Sequence, residues 1–261
     1  MKKDFLSIIV EQKKDEIAAA QKRVPEKQLR AQAEIPRQTR RFMKKLEQRD
    51  RVNIIAEIKR ASPSKGHICP NLDPASYASE YEQGGAAALS VLTDHAHFQG
   101  SFEDLKTARK NVTLPVLRKD FLISSYQIYE SSVLEADAIL LIVRILSREQ
   151  LRDYLKLAGE LGLDALVEVH SEKEIESATW AGAKLVGINN RNLQSFETNI
   201  ETAANMVSLL EPHQVPVAES GIQTREDIEK LQDSGIWNFL IGESLVRAPN
   251  TKDFLKSLMG L

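Results

Sequence analysis

The segment Ala56-Glu57-Ile58-Lys59-Arg60-Ala61-Ser62-Pro63-Ser64-Lys65-Gly66 sets a carboxylate and an amine two residues apart at the end of an apolar run, then breaks into a small polar loop. Residues two apart on a strand share a face, so Glu57 and Lys59 point into the same space. Alone, a Glu-x-Lys of this kind is a surface ion pair at a strand end. Here the arrangement recurs. Further apolar runs end in Thr93-Asp94, Lys119-Asp120-Phe121, Glu168, Asn189-Asn190-Arg191, Glu219-Ser220-Gly221 and Gly242-Glu243-Ser244. Two lysines, several carboxylates and an amide at successive strand ends are groups for proton transfer to and from a bound small molecule. Ser220-Gly221 and Gly242 add bare backbone amides that can approach an anion closely, with Ser62 able to reach from the first run. Together they point to a phosphate ester substrate. Glu243 is repulsive to a phosphate unless its amide faces the anion and its side chain turns away.

The elements that must position these residues follow from periodicity. Short, unalternating apolar runs cover Val52 to Ile58, Ala86 to Leu92, Val116 to Arg118, Ala138 to Val143, Ala165 to Val169, Leu185 to Ile188, Val215 to Ala218 and Phe239 to Ile241. Such runs suit parallel strands covered on both sides. Between them lie helical patterns, among them Pro74 to Gln83, Ser124 to Glu135, Arg148 to Leu161 and Thr224 to Asp233. Eight βα units in series predict an α/β fold of the (β/α)8 TIM barrel type, whose active site lies at the C-terminal ends of the strands. A doubly wound sheet would carry a Gly-x-Gly-x-x-Gly turn after its first strand, and Arg60-Ala61-Ser62-Pro63-Ser64 has none. Loops after strands seven and eight are the usual phosphate site of such barrels. Residues 1–50 are polar and helical, from Phe5 through Arg23 and from Arg37 to Gln48, with Pro25 and Pro36 as breaks. The expectation is one barrel domain over residues 1–261, with 1–50 as a helical extension able to cover a barrel end.

Composition narrows the partners. A length of 261 residues suits one large core, and a formal net charge of −2 gives no general electrostatic footprint for nucleic acid. No stretch approaches the roughly 20 apolar residues of a membrane span, and Glu11 to Lys14 interrupt any signal-peptide pattern. A cytoplasmic setting is expected. Cys69 stands alone, which excludes an intrachain disulfide and a cysteine-based zinc site. His95 and His97 share one loop, but no third ligand follows with metal spacing, so no metal is expected.

With these residues assembled, the chain resembles the indole-3-glycerol phosphate synthase family of tryptophan biosynthesis. The resemblance runs over essentially the whole chain. It is carried by Glu57-Ile58-Lys59-Arg60-Ala61-Ser62-Pro63-Ser64, Leu92-Thr93-Asp94 with Phe98-Gln99-Gly100-Ser101, and Lys119-Asp120-Phe121. It continues with Glu168-Val169-His170, Gly187-Ile188-Asn189-Asn190-Arg191, Ala218-Glu219-Ser220-Gly221-Ile222 and Leu240-Ile241-Gly242. His97 and Glu243 depart from it, standing where an aromatic and a small hydroxyl residue are frequent.

The resemblance implies conversion of 1-(o-carboxyphenylamino)-1-deoxyribulose 5-phosphate to indole-3-glycerol phosphate, with loss of carbon dioxide and water. It implies Lys119 as general acid, its pKa lowered by the neighbouring cation Lys59. Lys59 would hold the substrate carboxylate and assist loss of the hydroxyl, and Glu168 would take a proton as the indole aromatises. Glu57, Asn189, Arg191 and Glu219 would orient substrate and lysines. Ser62, Ser220, Gly221, Gly242 and the amide of Glu243 would hold the phosphate, with Phe98 and Phe121 against the aromatic ring. No cofactor is implied, because the nitrogen that accepts electrons belongs to the substrate. The expected partner is a small phosphorylated molecule, not nucleic acid or membrane, and the chain a monomer or weak oligomer. Competing readings are the neighbouring phosphoribosylanthranilate isomerase, which would want a cysteine where Glu57-Ile58-Lys59 stands, a Schiff-base aldolase, and a phosphate-ligand sensor lacking Lys119 or Glu168.

Overall fold

The apolar runs become eight parallel strands: β1 (Asn53–Ile58), β2 (Ala88–Leu92), β3 (Val116–Lys119), β4 (Ala138–Ile142), β5 (Asp164–Val169), β6 (Leu185–Asn189), β7 (Val215–Glu219) and β8 (Asn238–Ile241). In the computed structural model, which describes residues 5–192 and 195–261, they close into a barrel in which β1 pairs with both β2 and β8. The expected strands differ from these by one or two residues at their ends. A short antiparallel pairing of Ala61–Ser62 with Gly66–His67 folds the loop after β1 back on itself. No sequence signal had marked it.

Strand alternation sets what faces the barrel axis. Ile55, Leu117, Leu166, Val217 and Leu240 belong to one buried cluster. Two residues beyond each, on the same face, stand Glu57, Lys119, Glu168, Glu219 and Gly242. Register aligns Asn189 with Glu219, and Glu168 with Gly187. One apolar layer thus sits directly below a layer of charge.

Local signals start the outer helices. Asp73 caps α4 (Pro74–Gly84) by accepting from Ala75 and Ser76 amides. Ser147 with Gln150, and Thr224 with Asp227, close reciprocal capping boxes on α8 (Arg148–Glu160) and α11 (Arg225–Asp233). Each such cap is worth about 1 kcal/mol. Helices α5 (His95–Phe98), α6 (Phe102–Asn111), α7 (Ser125–Val133), α9 (Glu172–Ala181), α10 (Glu201–Met206), α12 (Glu243–Arg247) and α13 (Thr251–Met259) complete the ring.

The N-terminal extension departs from expectation. Helix α1 (Phe5–Arg23) forms as read, but a second helix, α2 (Glu26–Ala33), lies between the two prolines, and the helix expected from Arg37 to Gln48 shrinks to α3 (Phe42–Leu46). Tertiary contacts override helical propensity there. The Arg40 amide donates to Asp137 at 2.8 Å and its guanidinium to the Leu114 carbonyl at 2.8 Å, keeping residues 37–41 out of a helix. Fully buried Phe42 and Leu46 then join Ala88, Ala138, Leu185 and Val215, the first residues of four strands. Helix α3 therefore plugs the N-terminal end of the barrel. Leu29 and Ala33 pack on Tyr126 and Tyr129 of α7, while Phe5 and Leu6 of α1 reach the opposite, C-terminal mouth. The extension covers both ends rather than one.

Candidate active site

A cavity of about 870 Å³ opens at the C-terminal mouth. Its lining includes every site residue expected from sequence: Glu57, Lys59, Ser62, Phe98, Lys119, Phe121, Glu168, Asn189, Arg191, Glu219, Ser220, Gly221, Gly242 and Glu243. At its centre the Lys119 ammonium lies 2.7 Å from Glu168 Oε2 and 3.2 Å from Glu219 Oε2. Lys59 pairs instead with Glu57 Oε1 at 2.5 Å. All three carboxylates are at most 4% exposed, so each lysine resides in a dry, charge-compensated setting.

These pairings correct the expectation that Lys59 lowers the Lys119 pKa. Burial does favour the neutral amine, but the carboxylates of Glu168, Glu219 and Glu57 outweigh it and hold Lys119 above the ordinary lysine range. In the unliganded site Lys119 is a loaded proton donor. The carboxylates diverge. Burial would raise Glu168, yet Lys119, His170 and Asn189 hold it well below the usual range. Burial and the Glu168 charge push Glu219 up to about 8 against the pull of Lys119. Two carboxylates sharing one ammonium thus separate into an ionised and a protonated member at neutral pH.

The polar and aromatic walls lie on either side. Phe98 and Phe121 face one another with ring centroids 6.1 Å apart at 41°. His97 is not part of that wall: its Nε2 lies 2.7 Å from Gln12 Oε1 and its ring contacts Phe5 edge-on, both on α1. On the far side, Ser220 and Gly221 adopt left-handed conformations (φ 66° and 80°), the second of which favours glycine. A Cβ on Gly221 would lie 3.3 Å from Thr198 Cβ. Helix α12 begins at Glu243, so the amides of its first turn have no intrahelical acceptor. The Glu243 side chain turns to Arg247 at 3.2 Å, which resolves its repulsion. Arg191 donates to the Phe196 carbonyl at 3.0 Å, and its amide to Asn189 Oδ1 at 3.0 Å.

Several lining or supporting residues escaped the sequence reading. Phe5 and Leu6 come from α1, Phe196 and Thr198 from the loop after β6, Leu140 and Ile142 from β4. His170 is wedged between Glu168 Oε1 and Glu174 Oε2, 3.3 Å from each. A Cβ at Gly187 would come within 2.0 Å of Glu219 Oε1. That glycine makes room for a buried carboxylate, and only its place in the Gly-Ile-Asn-Asn-Arg motif hinted at it. Among the described residues, no group of three His, Cys, Asp or Glu side chains is arranged to hold a metal ion. No helix among them is long and apolar enough to cross a membrane.

A closed parallel barrel with a charged mouth, glycine-lined turns after β7 and β8, and a loaded lysine defines a phosphoester-type (β/α)8 enzyme scaffold. Solved structures agree on the fold: a thiamine phosphate pyrophosphorylase from Pyrococcus furiosus superposes with a TM-score of 0.62 at 16% identity over 80% of this chain and 95% of that one. An N-acetylmannosamine-6-phosphate 2-epimerase from Clostridium perfringens gives 0.60 at 15%, over 80% and 92%. Sequence is more particular. The family model of indole-3-glycerol phosphate synthase matches residues 6–258, and proteins of that name from Desulfosudis oleivorans and Syntrophobacter fumaroxidans are 56% and 51% identical over 98% of both chains. The chain belongs to the indole-3-glycerol phosphate synthase family.

Proposed function

We propose that this chain closes, decarboxylates and dehydrates 1-(o-carboxyphenylamino)-1-deoxyribulose 5-phosphate to indole-3-glycerol phosphate. The observation that carries it is the Lys119–Glu168 pair at 2.7 Å, set in one cavity between an aromatic wall and the glycine turns. The phosphate sits against Ser62, Ser220, Gly221, Gly242 and the Glu243 amide, and the aromatic ring against Phe98 and Phe121. Lys119 donates its proton to the ketone oxygen as the ring carbon attacks, and carbon dioxide then leaves. Lys59, drawn from Glu57 by the substrate carboxylate, protonates the departing hydroxyl. Glu168 takes the ring proton as the indole forms, and its 2.7 Å contact returns that proton to Lys119. Asn189, Arg191, Glu57 and Glu219 hold these groups in place. The same reading places the chain in the cytoplasm, as a monomer or weak oligomer working on a small phosphorylated molecule.

The direct test incubates the purified protein, after dialysis against a strong chelator, with the carboxyphenylamino-deoxyribulose phosphate and follows indole absorbance. Turnover is expected. Its absence, or trapping of a ketose phosphate on a lysine by borohydride, would replace this reading with an aldolase or a binding protein.

Glu219 predicts a pH effect. As pH rises through about 8 its carboxyl ionises, a second negative charge tightens the hold of Lys119 on its proton, and the acid weakens. The kcat/KM profile, which reports the free enzyme, should therefore fall on its alkaline side near that pH. In Glu219→Gln this limb should move to higher pH. An unmoved limb would show that another group titrates there.

A further inference from the structure

We propose that Lys13 is a positioning residue of the active site, a buried cation on the N-terminal helix that locks the segment after β2 carrying Phe98 to the end of β3, where Lys119 and Phe121 stand. The proposal rests on the reading of Lys119 as general acid and of the two rings as the substrate's aromatic wall.

Helix α1 packs through Leu6, Ile9 and Lys13, and the lysine is as buried as its apolar neighbours, with 4% of its side chain exposed. Its ammonium lies 2.8 Å from Asp94 Oδ2, 3.0 Å from Asp120 Oδ1 and 2.8 Å from Glu16. A leucine or methionine would serve simple helix docking at lower desolvation cost. What a lysine adds is a bridge between two strand ends.

Each carboxylate it holds shapes part of the cavity. Asp94 follows β2, and its Oδ1 accepts from the His97 amide at 2.8 Å, capping the short helix that carries Phe98. Asp120 directly follows Lys119. Its carboxylate accepts from the Phe121 amide at 2.8 Å and from Thr93 Oγ1 at 2.6 Å, and pairs with the fully buried Arg118 at 3.1 Å. The charges balance: Lys13 and Arg118 against Asp94 and Asp120, with Glu16 and Glu130 at the margins. Remove Lys13, and two buried carboxylates on neighbouring loops face each other with only Arg118, which touches just one of them. Their repulsion would part the loops and with them the Phe98–Phe121 gap and the Lys119 side chain. Lys13 does not line the cavity, so it acts through these residues. Gln12, on the same helix, adds a second tie to the Asp94 loop through His97.

The test compares Lys13→Met and Lys13→Arg with wild type in thermal unfolding, in kcat and KM for the carboxyphenylamino-deoxyribulose phosphate, and in inhibition by glycerol phosphate. That small ester tests the proposed phosphate site alone, to which none of the residues held by Lys13 contributes. In folded Lys13→Met, kcat should fall by about 10²-fold, the size of a 1 Å misplacement, with KM raised and the glycerol phosphate Ki within about twofold. Lys13→Arg should recover part of the loss, since a guanidinium can span both carboxylates. Wild-type kinetics in Lys13→Met would overturn the proposal. So would a parallel rise in Ki, which would mean a general collapse of the mouth. If Lys13→Met does not fold, Asp94→Asn keeps the capping oxygen and removes the charge; a lowered kcat at constant Ki supports the proposal, and unchanged kcat overturns it. Wild-type turnover, measured alongside, separates failure of this inference from failure of the assigned reaction.

Discussion

Lys119→Met lowers kcat by about 10²–10⁴-fold, the range for loss of one general acid, and leaves KM within about tenfold. The geometry separates the two effects. Lys119 stands at the end of β3 and pairs with Glu168 and Glu219, whereas the proposed phosphate contacts are Ser62 and the backbone of the turns after β7 and β8. Methionine keeps the stem and its packing but cannot donate a proton. It also leaves Glu168 and Glu219 facing each other without their shared cation, which raises the Glu168 pKa and removes the lysine to which Glu168 returns its proton. Both consequences act on the chemical steps. A variant retaining a tenth of wild-type kcat would reject Lys119 as the acid. A variant with intact kcat but much higher KM would make it a substrate anchor instead.

Gly242→Val raises KM by about tenfold or more and lowers kcat as well, since each charge-assisted hydrogen bond lost is worth about 1.5–3 kcal/mol. From sequence, the reason would be only that a side chain keeps the phosphate from the backbone. The structure adds a second collision. A Cβ at Gly242 would lie 2.5 Å from Glu57 Oε1 and 3.1 Å from Glu57 Cβ. Glu57 has little freedom to yield, being 4% exposed and held through its carbonyl by the Tyr81 hydroxyl. Displacing it breaks its 2.5 Å pair with Lys59, so one substitution should damage both the proposed phosphate contact and the cation proposed to hold the substrate carboxylate. Measuring both constants, with a dephosphorylated substrate analogue as control, separates these causes. Should the analogue bind wild type as well as the phosphorylated substrate does, the phosphate assignment to these turns is wrong.

The barrel and its mouth were legible because the relevant information is local. A strand's two-residue period puts Glu57 above Ile55 and Glu168 above Leu166 without reference to any other element. Caps such as Asp73 and Thr224 act within one turn of their own helix. The extension was less legible for the same reason. Helices as short as α2 and α3 form only marginally by themselves and take their stability from packing. Their existence depends on Tyr126, Tyr129 and the barrel floor, far away in sequence.

The sequence by itself determined the fold, the family and the charged and amide groups at the strand ends, since side-chain chemistry and strand periodicity travel with the chain. Only the tertiary structure decided how those groups pair. Which carboxylate takes Lys59 and which take Lys119, and hence that Lys119 is raised rather than lowered, is a sum of Coulomb interactions over ångström distances between strands that are remote in sequence. His97 packed against α1 rather than in the wall, His170 behind Glu168, and Gly187 making way for Glu219 are of the same kind. Lys13 shows it most plainly: within Glu11-Gln12-Lys13-Lys14-Asp15 it is one polar residue among five, and the approach of β2 and β3 alone turns it into a buried bridge.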